Sequence, residues 1–475
     1  MVGNSDAKKV IVVGSGIAGT AAAFRLRQAG FDVTMLERSN YVGGRMSSLT
    51  ETSEDGRSTY RVDRGAVWLS HNYKPMIKLL KDAGLAAGML PCSNELGILR
   101  DGKIHRLSLV KPLDLLRTGL FGWRSKLKAL RLMLDLGAAR RRLHWEDMSA
   151  AAAIDVESAH DYSLRRLDQT LLDYLIDPLC NTQFLNKAAD VSAVSILILL
   201  WGTFGAPSLT LDGGVGTLPA TILGLPLMRS ERMNVELNAQ VTDVRPDGDG
   251  VQVTWERDGV RHVERGDSCV VAVPGPAAAG IVTSLTDDQR EYLAGVQYAT
   301  DVHVTFGLSA PPPGETSFGI AVPEHEHPEL CMVLFEHNLR SGRENAGTGM
   351  TSLIFRHPWS TERIGLDDDK VIDDALIAFR EALPELAAHV DKYREVAAVK
   401  RLEKAIVVRP SGGYQDLARF TESLDPNSPI QLAGDYFSYS TTNASLATGE
   451  RAAHRIINRT GVEQGRRRHE HSVLG

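Results

Sequence analysis

Three glycines and an acidic residue near the start of the chain have the types and spacing of a dinucleotide-binding site. Gly14, Gly16 and Gly19 follow an apolar, β-branched run and precede an alanine-rich stretch. Gly14 permits a tight turn, Gly16 lets the backbone approach a pyrophosphate, and Gly19 lets a helix pack closely on a strand. A second apolar run ends at Glu37, where a carboxylate accepts hydrogen bonds from an adenosine ribose with a free 2′-hydroxyl. The pattern therefore predicts a strand, a glycine turn, a helix and a second strand, with the phosphates at the helix N terminus.

Three further segments bear on the choice between NAD and FAD. They are Gly43-Gly44-Arg45, Arg64-Gly65-Ala66-Val67-Trp68 and, much later in the chain, Leu432-Ala433-Gly434-Asp435. In these segments the chain resembles the superfamily of flavin amine oxidases, protoporphyrinogen oxidase and phytoene desaturases. The resemblance implies that FAD is the cofactor, that Arg45 contacts its pyrophosphate or its flavin ring, and that Asp435 binds the ribitol chain.

The motifs and the resemblance together give one set of expected cofactor-binding residues: Gly14, Gly16, Ile17, Ala18, Gly19, Glu37, Arg38, Gly43, Gly44, Arg45, Gly65, Ala66, Val67, Trp68, Val241, Gly434, Asp435, Thr442, Asn443 and Ala444. The last three belong to a helix that is predicted to begin near Asn443, capped by Thr441 or Thr442, so that its N–H groups face the flavin. The segment 411–414 resembles the one that carries a flavin-linking cysteine in monoamine oxidases. No cysteine lies near it, and non-covalent FAD is therefore expected.

The resemblance also implies the fold class and the domain organisation. An α/β fold is expected in which a Rossmann-like FAD-binding domain, with a parallel sheet and a β-meander, is interleaved with an α+β substrate domain. The FAD-binding domain is expected to comprise residues 1–90, 210–285 and 425–462, and the substrate domain residues 91–209 and 286–424. The first insertion reads as helical, the second contains strand patterns that would cover the flavin, and 463–475 has the composition of a disordered tail.

The chemistry implied by the resemblance is removal of hydride from a C–H bond of a hydrophobic small molecule to flavin N5, forming C=N or C=C, with oxygen or another acceptor reoxidising the flavin. His303 and Tyr414 are the candidate catalytic residues. The candidate substrate-pocket residues are aromatic: Phe184, Trp201, Phe204, Phe437 and Tyr439. Asp301 stands where amine oxidases commonly have a lysine, which favours the protoporphyrinogen oxidase or desaturase side without excluding amines.

Two alternatives stay open on the same fold. One is a flavin-dependent isomerase without net redox chemistry, and the other is a non-catalytic binding protein like the Rab escort proteins. The intact glycines, Glu37 and Asp435 argue against the second alternative.

Composition sets further limits on function and on partners. The 475 residues are 43% hydrophobic and 24% charged, and the net charge of −6 gives no general attraction to nucleic acid. The four cysteines and fourteen histidines lack metal-ligand spacing, and no metal is expected. Because the glycine turn comes early and no long apolar run is present, we expect a cytoplasmic location. The basic, amphipathic stretch 125–142 suits either peripheral contact with an anionic membrane or ordinary packing of its leucines into the domain. No motif indicates an oligomeric state.

Overall fold

A computed structural model describes residues 8–461 with the exception of 109, 112, 146, 204, 340 and 341. The predictions for Phe204 and for the tail 463–475 lie outside the described residues. No helix in the described part of the chain is long and apolar enough to span a membrane.

A parallel sheet organises the first region of the molecule. Its strands in the described chain are, in spatial order, Met233–Glu236, Asp32–Leu36, Lys9–Val13, Ser268–Val271 and Ile430–Leu432. Both faces are covered, which explains why the strand that contains Val10 and Ile11 is a continuous apolar run. Val10 packs with the helices Ile17–Ala29 and Thr442–Thr460, whereas Ile11 packs toward the β-meander on the other face.

The meander beside this sheet is antiparallel and consists of Gln240–Asp247, Gly250–Arg257 and Val260–Gly266. The helices Lys74–Asp82, Leu218–Leu223, Gly275–Ile281 and Asp287–Ala294 complete this region. Small antiparallel sheets, formed by Ser48–Thr52 with Thr59–Asp63 and by Leu69–Ser70 with Ser208–Leu211 and Met89–Pro91, connect it to the rest of the protein.

A large mixed sheet forms the second region. In spatial order its described strands are Arg394–Val407, Tyr298–Leu308, Gly349–Phe355, Leu330–Phe335, Gly319–Ala321, Glu95–Arg100 and Lys103–Ser108. The last two strands show that the helical interpretation of 91–209 was wrong at its start. They form a hairpin because Asp101 and Gly102 both adopt positive φ, at 51° and 70°, in a two-residue turn.

Helices cover this large sheet and fill the space beside it. Those from the first insertion are Asp114–Arg117, Trp123–Ala139, Ala159–Arg166, Gln169–Leu171, Asp177–Phe184 and Ala193–Thr203, with a π-helical turn at Leu172–Ile176. Those from the second are His357–Arg363, Asp368–Ala382, Pro384–Tyr393 and Gly413–Glu422. The α/β fold class with a parallel sheet and a meander is confirmed. The division of the chain into two domains stays a prediction.

Candidate active site

One cavity of about 840 Å³ lies between the parallel sheet and the large mixed sheet. This volume is at the upper end of the range for ligand pockets. Most of the predicted cofactor residues line it: Gly14, Gly16, Ile17, Ala18, Glu37, Arg38, Gly43, Gly44, Arg45, Gly65, Ala66, Val67, Trp68, Val241, Gly434, Asp435 and Thr442. The fold thus brings segments from both ends of the sequence to one wall, which we call the floor of the cavity.

The glycines of the floor occupy the positions that the motif requires. Gly14 has a φ of 96°, and a Cβ there would lie 2.6 Å from the carbonyl oxygen of Ala272. A Cβ on Gly19 would lie 1.9 Å from the carbonyl oxygen of Gly14, so this glycine serves helix–strand packing and does not line the cavity. Around Gly16 the nearest atom to an added Cβ is 4.0 Å away. The backbone at Gly16 therefore borders open space, as a phosphate cradle must.

Glu37 is held at the cavity wall by hydrogen bonds. Its Oε2 accepts from the backbone N–H of Ser15 at 2.9 Å and from the Ser15 hydroxyl at 2.7 Å, and its Oε1 accepts from the N–H of Ser39 at 2.9 Å. A carboxylate has about four acceptor positions, so at least one is left for a ribose hydroxyl. Sequence reasoning missed Ser15, although its place between two motif glycines puts it beside the acid.

An ion pair joins the two ends of the sequence at the floor. The Nη1 of Arg45 lies 2.6 Å from Oδ2 of Asp435 and also donates to the carbonyl oxygen of Ala405 at 2.8 Å. Burial alone would lower the pKa of Arg45, but the Asp435 carboxylate outweighs it and raises that pKa above its ordinary value. Arg45 thus stays cationic at the cavity wall, where it suits a phosphate or the electron-rich edge of a flavin.

The C-terminal helix begins beside the same wall. Thr441 caps the helix Thr442–Thr460, because its hydroxyl accepts from the N–H of Ala444 at 3.1 Å. Thr442 lines the cavity, whereas Asn443 and Ala444 do not. The side chain of Asn443 instead accepts from the backbone N–H of Met76 at 3.1 Å. Of the three predicted helix residues, only Thr442 is therefore in contact with the cavity.

The opposite wall, which we call the roof, belongs to the large sheet and carries a buried histidine–carboxylate pair. Nδ1 of His303 lies 2.8 Å from Oδ2 of Asp301, and both side chains line the cavity. Burial lowers the pKa of His303, so its ring is neutral near pH 7. Because a carboxylate only accepts, we assign the ring proton to Nδ1, which leaves Nε2 as an acceptor. The other carboxylate oxygen, Oδ1 of Asp301, has no hydrogen-bond partner among the described residues.

A buried lysine stands next to this pair. Lys400 is the cross-strand partner of His303, lines the cavity, and donates from Nζ to the backbone carbonyl of Asp63 at 2.9 Å. Burial lowers its pKa to about 8. Glu336 also lines the roof, and its carboxylate accepts from the Arg343 guanidinium and from the Ser352 hydroxyl. Sequence reasoning missed Lys400 because it examined only the strand of Asp301, and no local motif marks the lysine.

Comparison with known proteins now identifies the family. Residues 17–457 match the family described as flavin containing amine oxidoreductase. The chain belongs to this family. The family is one of flavin-dependent oxidoreductases, which argues against the alternative of a non-catalytic binding protein.

Individual relatives of this flavoprotein diverge in their reactions. The chain is 30% identical over 178 residues to "Protoporphyrinogen oxidase, mitochondrial" of Nicotiana tabacum, covering 37% of this chain and 32% of that one. It is 27% identical over 286 residues to "Polyamine oxidase 4" of Oryza sativa subsp. japonica, covering 58% and 53%. These matches span about a third and about half of the two relatives. A putrescine oxidase variant with redesigned cofactor binding has the same fold, with a TM-score of 0.73, 18% identity, and coverage of 95% and 99%.

Tyr414, the other candidate catalytic residue, does not line the cavity. Tyr414 is buried in the helix Gly413–Glu422, and its hydroxyl lies 2.9 Å from that of Ser195. The reason is Gly412, whose φ of 87° turns the chain into this helix, where Asp155 accepts from the backbone N–H of Tyr414 at 2.7 Å. Tyr414 therefore makes no contact with the cavity.

The described members of the predicted aromatic pocket do not line the cavity either. Phe184 and Tyr439 pack edge to face, with 5.6 Å between their centroids, inside the core. Phe437 packs against Phe420, and Trp201 is 42% exposed to solvent. The described apolar part of the roof consists of non-aromatic side chains instead, among them Met332, Leu334, Ile354, Leu402 and Ile406. No group of three or more potential metal ligands lies together within the described residues.

Proposed function

We propose that this flavoenzyme dehydrogenates a small hydrophobic molecule and that His303 accepts the proton released from the substrate. The supporting observation is that the glycine floor and the Asp301–His303 pair border one cavity. FAD, when bound, supplies the acceptor for the hydride of the substrate C–H bond. The C=N or C=C bond forms from the electrons that the departing proton leaves behind.

The floor residues described above would hold the cofactor without a covalent link. Gly14, Gly16 and the uncapped N terminus of the helix Ile17–Ala29 would bind the pyrophosphate. Glu37 would accept from the adenosine ribose, and Asp435 from the ribitol hydroxyls. The four cysteines are buried outside the cavity lining, which supports non-covalent binding.

The roof supplies the proton chemistry in this proposal. Nε2 of His303 takes a proton from the substrate while the Nδ1–H keeps its bond to the Asp301 carboxylate, which stabilises the imidazolium that results. The aliphatic side chains of Met332, Leu334 and Ile354 exclude water and accept the apolar body of the substrate.

An amine is the substrate class that the roof favours. Oδ1 of Asp301 is buried at the cavity without a partner, and a buried unpaired acceptor is costly. A substrate ammonium or N–H would satisfy it. The similarity to the tobacco protoporphyrinogen oxidase favours carbon–carbon dehydrogenation as a second candidate. Oxygen or another acceptor would then reoxidise the flavin.

An anaerobic titration distinguishes these candidates. The holoprotein is mixed separately with primary amines, secondary amines, amino acids and a porphyrinogen while the absorbance of oxidised flavin is recorded. Bleaching by amines or amino acids supports the amine proposal, and bleaching by the porphyrinogen alone supports carbon–carbon dehydrogenation. Conversion of a substrate without bleaching and without use of an acceptor would indicate an isomerase and contradict the proposal. Admitting air to the bleached sample tests oxygen as the acceptor.

A further inference from the structure

The helix Trp123–Ala139 presents an apolar stripe to solvent. Trp123, Leu127, Leu130 and Leu134 are 68%, 57%, 48% and 72% exposed. Their spacing of four, three and four residues places them along one face of the helix. The opposite face packs into the protein through its buried residues, which are Ser125, Leu132, Leu136 and Ala139. We call the four exposed residues the exposed stripe. Of the two alternatives for this stretch, the packing of Leu127, Leu130 and Leu134 into the domain is therefore not observed.

Basic residues border the exposed stripe. Arg124 and Arg131 lie along one side of it in the helical projection, and Lys126 lies along the other. Residues 111–142 as a whole contain nine lysines and arginines against two aspartates, in a chain whose net charge is −6. One of these aspartates, Asp135, is already paired with Arg166 at 2.5 Å. This segment therefore carries a local excess of positive charge next to an apolar surface.

We propose that the exposed stripe docks on an anionic lipid bilayer. An amphipathic helix with a tryptophan and leucines on one face and basic residues beside them suits the interface between headgroups and acyl chains. The arginine and lysine side chains can bury their aliphatic stems while their charged ends reach lipid phosphates. A second copy of this chain would bring like charges together, and a nucleic acid would gain nothing from the leucines. This inference is independent of the proposed dehydrogenation.

Vesicle binding by the full-length holoprotein tests the proposal. We expect co-sedimentation with vesicles of phosphatidylcholine and phosphatidylglycerol, weaker binding to phosphatidylcholine alone, and weakening by salt. The double variant Leu127→Ser/Leu134→Ser should bind the anionic vesicles about tenfold more weakly, because each leucine no longer enters the bilayer. The double variant Arg124→Gln/Arg131→Gln should bind the anionic vesicles about tenfold more weakly than the wild type at low salt, and equally well at high salt.

Matched controls separate docking from general stickiness or unfolding. Val260→Ser and Ile377→Ser remove exposed apolar side chains, 56% and 52% exposed, from other elements, and should leave vesicle binding unchanged. All variants should retain bound flavin and the wild-type melting temperature. The tryptophan emission of the wild type should shift to shorter wavelength on anionic vesicles, and this shift should be lost in Trp123→Phe.

Three results would overturn the proposal. The first is absence of binding to anionic vesicles by the wild type, and the second is equal binding by the leucine double variant. The third is a concentration-dependent dimer, measured by analytical ultracentrifugation, that the leucine substitutions dissociate, since the exposed stripe would then be the interface between two copies.

Discussion

The floor and the roof of the cavity are built by different means. The floor consists largely of backbone and small side chains from short motifs, such as Gly14 with Gly16 to Ala18, and Gly43 to Arg45. The roof consists largely of longer side chains that the sheet brings together from separate strands, among them His303, Lys400 and Met332. The floor therefore depends on local backbone conformation, whereas the roof depends on strand register. Substitutions in the floor should impair FAD binding, whereas substitutions in the roof should impair catalysis.

The largest effects are expected in the glycine motif, where Gly16 lines the floor and Gly19 packs behind it. Substitutions at these two positions should therefore separate FAD binding from folding. Gly16→Val should leave the apoprotein folded, because a Cβ there meets nothing closer than 4.0 Å, yet reduce FAD affinity by about 100-fold or more, since the side chain occupies the phosphate position. Gly19→Val should destabilise the fold by about 3 kcal/mol or more, because its Cβ would lie 1.9 Å from a backbone oxygen. Flavin titration of the apoproteins measures the FAD affinity, and thermal unfolding measures the stability. Tight FAD binding by Gly16→Val would contradict the assignment of the cradle.

In the roof, His303→Asn should reduce kcat by about 100-fold or more while FAD affinity stays unchanged, because the proton acceptor is lost and the floor is intact. The wild-type kcat/KM should fall with decreasing pH as Nε2 becomes protonated. This decline should occur below the ordinary histidine pKa of 6.5, since burial lowers the pKa of His303. The variant should lack this limb of the profile. A variant with the wild-type profile would show that another group accepts the proton.

The contrast between the walls also explains what the sequence could reveal. The glycine motif could be predicted from the sequence because each glycine acts through its own backbone. Gly14 permits the tight turn, Gly16 borders the space for a phosphate, and Gly19 permits close packing of the helix on the strand. Lys400 escaped notice because its proximity to His303 is a property of the pairing between two strands almost a hundred residues apart. Tyr414 was assigned to the flavin from its place after two glycines, but the turn at Gly412 directs the chain into a helix.

A smaller effect in the roof concerns Lys400, which should make the stability of the folded protein depend on pH. Burial lowers the pKa of Lys400 to about 8 from an ordinary 10.5. Between these pH values the unfolded chain binds the proton and the folded protein does not, so stability of the wild type should rise with pH. The free energy of unfolding of the wild type relative to Lys400→Met should therefore increase by about 3 kcal/mol from pH 8 to pH 10.5. Urea unfolding of both proteins measures it. A constant difference would show that the lysine is hydrated.

The smallest effect is expected outside both walls. Tyr414→Phe removes the hydrogen bond to Ser195 and should cost about 1 kcal/mol of stability. Its kcat and its reduction by substrate should stay within about twofold of the wild type, because Tyr414 does not line the cavity. A large loss of kcat with normal stability would place Tyr414 in contact with the substrate after all. This variant is also the folding control for His303→Asn.

The contact between two helices distant in sequence determines when, during translation, the FAD site can be completed. Ile17–Ala29 and Thr442–Thr460 pack so closely that a Cβ on Gly449 would lie 2.0 Å from the carbonyl oxygen of Ala18. About four hundred residues are translated between these helices, which takes roughly 20 to 80 seconds at ribosomal speed. During that interval the glycine motif has been made but its supporting helix has not. FAD retention is therefore expected to begin only after translation of the second helix, and a stalled chain would release the nucleotide.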